Sequence, residues 1–226
     1  MIAVVGGDGS GKTSLLNSLE HWLEPLSLTR FHFGKPRWSW TTRSLRSLLQ
    51  MIRFLGFSRY LYASQAQQLP ECNSWKLSLS SYDLLIREAL LARDRFLVYR
   101  LARRAANRGN IVLCDRYPLP QIAGIDYGVI EKLAGPHCGT WIEHIKKFES
   151  RWYSKILPPD MTFVLRLPPE LAVSRKVDED ASFVRVRNQA IWSLQQEEFP
   201  EAIFVDAERP AEEVLDSVKS RIWQEL

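Results

Sequence analysis

The octet Gly6-Gly7-Asp8-Gly9-Ser10-Gly11-Lys12-Thr13 holds residue types suited to phosphate chemistry, at the Gly-x-x-x-x-Gly-Lys-Thr spacing of a phosphate-binding P-loop. Gly6, Gly9 and Gly11 let the backbone turn tightly enough for successive N–H groups to point inward, which makes a concave anion site at a helix N-terminus. Lys12 can then reach the β- and γ-phosphates and the Thr13 hydroxyl can hold Mg²⁺, with Ser10 and Ser14 in the same cradle. A plain glycine-rich turn would explain neither Lys12 nor Thr13. About 100 residues later, Asp115 closes the apolar run Ile111 to Cys114, and Arg116 and Tyr117 follow directly. An acid at the end of a buried parallel-type strand stands in the Walker B position, where a carboxylate can bind the magnesium shell. Arg116 sits at that strand's carboxyl end, where ligands collect in open α/β sheets, and reads as a phosphate grip; the alternative is a structural pair with a nearby carboxylate.

These residues need strands and helices to place them. Ile2 to Val5 reads as a short buried strand and Ser14 to Leu23 as a helix, which Pro25 stops. Leu28 to Phe33 alternates as a second strand and runs into an aromatic loop, residues 34 to 40. Thr41 to Phe54 has helical periodicity, with Leu45, Leu48, Leu49 and Ile52 on one side and Arg43, Arg46 and Arg53 on the other. The polar stretch 56–79 reads as an insertion or loop. A long helix follows from Tyr82 to about Asn107, stopped by Gly109, and leads to the Ile111 strand. Residues 118 to 140 are irregular apart from one helical turn near Val129 to Leu133, and a helix spans Thr140 to Ile156. Met161 to Leu167 and Ala202 to Val205 are the remaining strands; Pro168-Pro169-Glu170 opens one helix, and Pro210 to Leu226 forms the last. Strands alternating with helices, with no repeat or linker, predict one α/β domain over 1–226: a doubly wound, three-layer parallel sheet.

Composition narrows the function classes. The 226 residues carry 30 Lys and Arg against 26 Asp and Glu, a formal charge of +4, and the pI is near 9.0. A basic surface suits an enzyme handling phosphates. The basic residues are scattered rather than gathered in a recognisable motif, which argues against nucleic acid as a partner. Cys72, Cys114 and Cys138 are odd in number and lack a C-x-x-C pair, as expected of reduced thiols in the cytoplasm. The four histidines lack metal-ligand spacing, so no structural zinc is expected. The chain runs from Met1 straight into a strand and the P-loop, which is read as leaving no room for a signal peptide. No apolar run approaches the roughly 20 residues a membrane span needs.

The octet and Asp115-Arg116-Tyr117 together resemble the thymidylate kinase family of P-loop kinases. Ala92-Arg93-Asp94-Arg95, Pro159-Asp160-Met161-Thr162 and Asp206-Ala207 extend the likeness in the family's order, while residues 35 to 80 match poorly. The resemblance implies a P-loop kinase fold with ATP and Mg²⁺ as cofactors. It also implies that Lys12 and Thr13 serve the ATP phosphates and the metal, that Asp115 helps hold the metal, and that Asp8 faces the acceptor's sugar or the magnesium water shell. Arg116 would grip the acceptor's phosphate, with Arg95 and Tyr117 along the acceptor pocket. Members with a basic residue after the P-loop acid catalyse from the loop; Gly9 stands there, so the catalytic cations come from elsewhere. The segment Arg175 to Asp180, followed by Arg185 and Arg187, resembles the family's mobile lid, at about 174–188. Arg175 is its leading catalytic candidate, against the alternative of a solvated face paired with Asp178 and Glu179.

The chain departs from the family where the acceptor base is framed. Pro120, Gly124 and Ile125 replace a serine and a Tyr-Gln pair, Gly34-Lys35-Pro36-Arg37 replaces an Arg-Glu-Pro-Gly loop, and Arg166 stands where an acid is common. The expected function is ATP- and Mg²⁺-dependent phosphoryl transfer to a small phosphorylated acceptor, a nucleoside monophosphate with dTMP as the default. One alternative keeps the transfer but takes a sugar or lipid-linked glycan, because Phe31-His32-Phe33 before a proline loop resembles forms associated with bacterial polysaccharide gene clusters. The basic helix 43–53 would then make a peripheral membrane contact. Another is an ATP-binding switch with no small-molecule acceptor. Dimerisation, as in relatives, stays open.

Overall fold

The computed structural model describes residues 1–34, 42, 44, 47, 79–122, 125–134 and 139–225. The arginines of the expected basic helix 43–53, the tryptophans of the aromatic loop and all but the last residue of the insertion 56–79 lie outside the described residues, as does Gly124.

Five parallel strands form one sheet: β1 (Ile2–Gly6), β2 (Leu28–His32), β3 (Ile111–Asp115), β4 (Met161–Arg166) and β5 (Ala202–Asp206), in the order β2-β3-β1-β4-β5. The described helices are α1 (Lys12–Trp22), α2 (Leu79–Ala106), α3 (Val129–Ala134), α4 (Thr140–Tyr153), α5 (Pro169–Arg175), α6 (Ala181–Trp192) and α7 (Ala211–Glu225). This is the helix-flanked parallel α/β sheet that the sequence predicts. No described helix is long and apolar enough to cross a membrane.

The described chain divides into two compact units. The first comprises Met1–Gly34, Val98–Ile122 and Pro158–Leu226; the second comprises Lys35–Leu97 and Ala123–Leu157. In the first, β1 is buried from Ile2 to Val5, as a central parallel strand requires. Leu15, Leu16 and Leu19 of α1 and Val214, Val218 and Ile222 of α7 fill one core with Phe163 and Leu165 of β4. Each such side chain contributes about 1.5–3 kcal/mol of burial free energy before the entropy of ordering is set against it. In the second unit, Leu85 and Ala89 of α2 pack with Ile130 of α3 and Ile142 of α4 in a smaller core.

Two helix ends follow their sequence signals. α1 stops at Trp22, three residues before Pro25. Beyond α2, Gly109 adopts φ 86° and the Asn110 N–H returns to the Ala105 carbonyl at 3.2 Å, a glycine-dependent helix stop. α6 is a separate helix that the periodicity does not announce. Its buried positions are Val184, Asn188 and Ile191, so a polar residue interrupts the apolar stripe. Asp180 starts it by accepting from the Phe183 N–H at 3.0 Å.

Candidate phosphate-transfer site

The parallel register sets the site. Val4 pairs with Asp115 and His32 pairs with Asp115, so the carboxyl ends of β1, β3 and β2 lie side by side. The P-loop leaves β1 at that edge, with Gly6 opposite Leu165 of β4. Gly11 caps α1 at φ 81° and supplies no side-chain cap, so the helix dipole and first-turn amides are presented to the loop. Ser10 Oγ donates to the Gly7 carbonyl at 2.8 Å and tightens the turn. Thr13 and Ser14 are exposed on the first turn of α1.

Lys12 folds back over the loop, its Nζ donating to the Gly7 carbonyl at 2.5 Å and to Ser10 Oγ at 3.5 Å. Burial, and then the charge of Arg116, push its pKa down to about 8. Asp8 places one carboxylate between two guanidinium groups: Arg116 Nη2 donates to Oδ1 at 2.9 Å, and Arg187 Nε lies 3.2 Å from Oδ2. Burial tends to raise the Asp8 pKa, but Arg187, Arg116 and Lys12 together outweigh it and hold the carboxyl below its usual range. Arg116 reaches Asp8 from a left-handed backbone, φ 54°, and its stem crosses Gly34, where a Cβ would lie 2.4 Å from Arg116 Cδ.

Among the described residues Asp115 is held on one side only: His32 Nδ1 lies 2.8 Å from Oδ2, while Oδ1 is buried with no hydrogen-bond partner among them. Burial raises the Asp115 pKa, yet the His32 hydrogen bond and the nearby positive groups bring it below the usual value. An ionised carboxylate with a spare buried oxygen has the donor chemistry that Mg²⁺ prefers. Lys12, Arg116 and Arg187 thus converge on Asp8 and Asp115 at the sheet's carboxyl edge. That arrangement can receive polyphosphate and neutralise it.

Four curated thymidylate kinases align at 24–31% identity. The one from Exiguobacterium sp. is 31% identical over 140 residues, covering 56% of this chain and 61% of its own length. The one from Legionella pneumophila is 24% identical over 98% of this chain and 93% of its own length. The chain is thus similar to thymidylate kinases, over nearly its whole length in two of the four. It is also 22% identical, over 96% of its length, to the uncharacterized ATP-binding protein YghS of Escherichia coli K12, 90% of which is covered. No family model matches the chain.

Not every predicted site residue of this thymidylate kinase-like chain joins the cluster. Arg175 donates from outside the loop to the Ala207 carbonyl at 3.2 Å and the Gly9 carbonyl at 3.5 Å. Arg185 is engaged by Glu170 through two bonds of 2.8 and 2.9 Å, and Lys176, not an arginine, pairs with Glu179. Tyr117 turns its ring into the core against Phe33, with centroids 4.8 Å apart. Arg95 lies in the second unit, buried, donating to the Asp126 carbonyl at 2.8 Å, Asp126 Oδ1 at 3.0 Å and Tyr153 Oη at 2.6 Å. Arg166 donates to the Trp192 and Leu194 carbonyls at 2.6 and 2.8 Å and fastens the end of α6.

Sequence reasoning ranked Arg187 below Arg175 and gave His32 no part in the site. Both became neighbours of the acids only through strand pairing and the docking of α6. In the sequence His32 is marked by its place near the end of a predicted strand and by the Phe31-His32-Phe33 pattern, neither of which points to Asp115.

Proposed function

We propose that this chain transfers the γ-phosphoryl group of ATP to a nucleoside monophosphate in a magnesium-dependent reaction, with dTMP the first candidate acceptor. The observation that carries the reading is the pair of guanidiniums, Arg116 and Arg187, held on Asp8 beside Lys12. Phosphoryl transfer leaves a protein little covalent work; positioning and cancellation of charge do most of it. Two phosphate groups repel each other, and a second cation-rich position is needed only when a second phosphate must approach the first.

In this reading the P-loop amides and Lys12 hold the β- and γ-phosphates, and Arg116 holds the acceptor's phosphate. An acceptor oxygen attacks the γ-phosphorus in line, the bond from that phosphorus to the bridging oxygen breaks, and ADP leaves. Arg187, carried on the lid segment at 174–188, meets the transferring group, and Arg175 steadies the loop from its outer side. Thr13 and Asp115 would hold Mg²⁺, which bound there would neutralise charge on the β- and γ-oxygens. Asp115 Oδ1, buried and without a hydrogen-bond partner among the described residues, supports that assignment. The P-loop and the name of the YghS relative support ATP as donor, and the names of the thymidylate kinase relatives support dTMP as the first acceptor to try.

The test is a coupled ADP-release assay with ATP and Mg²⁺ against dTMP, dUMP, other nucleoside monophosphates, nucleosides and sugars. Turnover with a monophosphate is expected, and Lys12→Ala should lower kcat/KM by at least ~100-fold, about 3 kcal/mol of transition-state stabilisation. Turnover confined to sugars would move the acceptor outside the nucleotides. Silence on the whole panel with ATP still bound would defeat the transfer reading.

A further inference from the structure

Asn188 is a polar side chain in a core position, 1% exposed, on the α6 face that also buries Val184 and Ile191. Its Nδ2 donates to two carbonyls, that of Val184 one turn back at 2.9 Å and that of Asp8 in the P-loop at 3.0 Å. Gly7 makes room for it: a Cβ there would lie 1.9 Å from Asn188 Oδ1 and 2.4 Å from its Cγ. The preceding residue, Arg187, takes the Asp8 carboxylate at 3.2 Å. Successive residues of one helix therefore hold the same loop residue at two points, an amide on its backbone and a guanidinium on its side chain.

The two contacts differ in what would displace them. The guanidinium–carboxylate pair is partly solvated and meets a competitor as soon as phosphate arrives. The amide bond is buried and neutral, and breaking it would leave a donor and an acceptor unmet away from water. In a planar trans peptide the C=O and the following N–H point in opposite directions. Anchoring the Asp8 carbonyl on α6 therefore turns the Gly9 N–H away from α6, and Gly9 follows with φ 79°.

We infer that Asn188 is the positioning residue of the P-loop: by holding the Asp8 carbonyl it aims the Gly9 N–H as a phosphate donor. It also lets Arg187 exchange Asp8 for phosphate while α6 stays docked. The inference rests on the loop being the ATP site proposed above.

The experiment compares MgATP affinity by calorimetry in the full chain and in Asn188→Ala, Gly7→Ala and the double variant, each checked for folding by circular dichroism and thermal melting. Asn188→Ala is expected to raise the MgATP Kd about tenfold in folded protein, with the acceptor KM little changed. Gly7→Ala should weaken ATP at least as much by pushing Asn188 off the loop, and the double variant should bind more tightly than Gly7→Ala because the clash is gone. Wild-type ATP affinity in folded Asn188→Ala, or a double variant no better than Gly7→Ala, would overturn the inference; so would a melting shift with no change in Kd. If Asn188→Ala does not fold, Gly7→Ala decides, and wild-type affinity there defeats it. A wild-type chain that binds no ATP would instead defeat the proposed function, and this inference with it.

Discussion

Asp8 carries a carboxylate into a buried position, and the three cations around it decide its charge. Without them burial would raise its pKa; with Arg187, Arg116 and Lys12 beside it, the ionised form is kept. Lys12 is the converse case: burial and Arg116 lower it to about 8, and bound phosphate would restore its charge. In the second unit, Glu149 shows what burial does with less compensation. Its carboxylate accepts from the Ile130 N–H at 3.3 and 3.4 Å, yet burial, only partly offset by that bond, raises its pKa to about 7. The folded state therefore binds more protons than the unfolded one between about 4.5 and 7, so this residue's contribution falls as pH rises through that window. Glu149→Gln keeps an acceptor oxygen and removes the titration. Its stability relative to the native chain should improve by ~2 kcal/mol between pH 4.5 and pH 7.5, measured by denaturant unfolding at each pH.

At the scale of elements, the site depends on a few abrupt changes of direction. Gly11 enters α1 from φ 81° with no atom of the described residues within 4 Å of where a Cβ would stand, so the left-handed backbone is the objection to a side chain there. Gly11→Ala should destabilise the chain by ~1 kcal/mol, read from the urea midpoint at unchanged slope. A larger loss would mean that the added methyl also disturbs the P-loop hydrogen bonds. Arg116 takes the left-handed region without being glycine, and its guanidinium thereby reaches Asp8. The strand-to-loop turns could be anticipated from glycine positions and from the acid that closes β3. α6 could not, because Asn188 breaks its apolar period and only contact with the P-loop explains a buried amide there.

For the whole molecule, the basic balance of +4 suits phosphate ligands in general and selects none. The selective feature is local, in the first of the two compact units, where the P-loop, Asp115, Arg116 and Arg187 all lie. A ligand that binds only the folded state stabilises it by about 2.7 kcal/mol at 100 times its Kd. MgATP at that excess should therefore raise the melting midpoint of the transition that includes the first unit by about 5–10 °C. Lys12→Ala should lose most of the shift. A midpoint indifferent to MgATP in the native chain would count against nucleotide binding by the folded P-loop.

The sequence by itself determined the alternating strand and helix order, the P-loop and the acid at the end of β3, because local periodicity, glycine spacing and a charge that ends an apolar run are all written in consecutive residues. It also determined the stops of α1 and α2, which depend on Pro25 and Gly109. Tertiary structure decided which charges meet. His32 reaches Asp115 only because β2 pairs with β3 in that register, and Arg187 and Asn188 reach Asp8 only because α6 packs on a loop 180 residues earlier in the chain. The resemblance places Arg95 along the acceptor pocket and Arg175 ahead of Arg185 and Arg187, whereas their partners in space put Arg187, and not the other three, on the Asp8 carboxylate. Long-range electrostatics depends on distance in space, and a linear sequence contains that information only after the chain has folded.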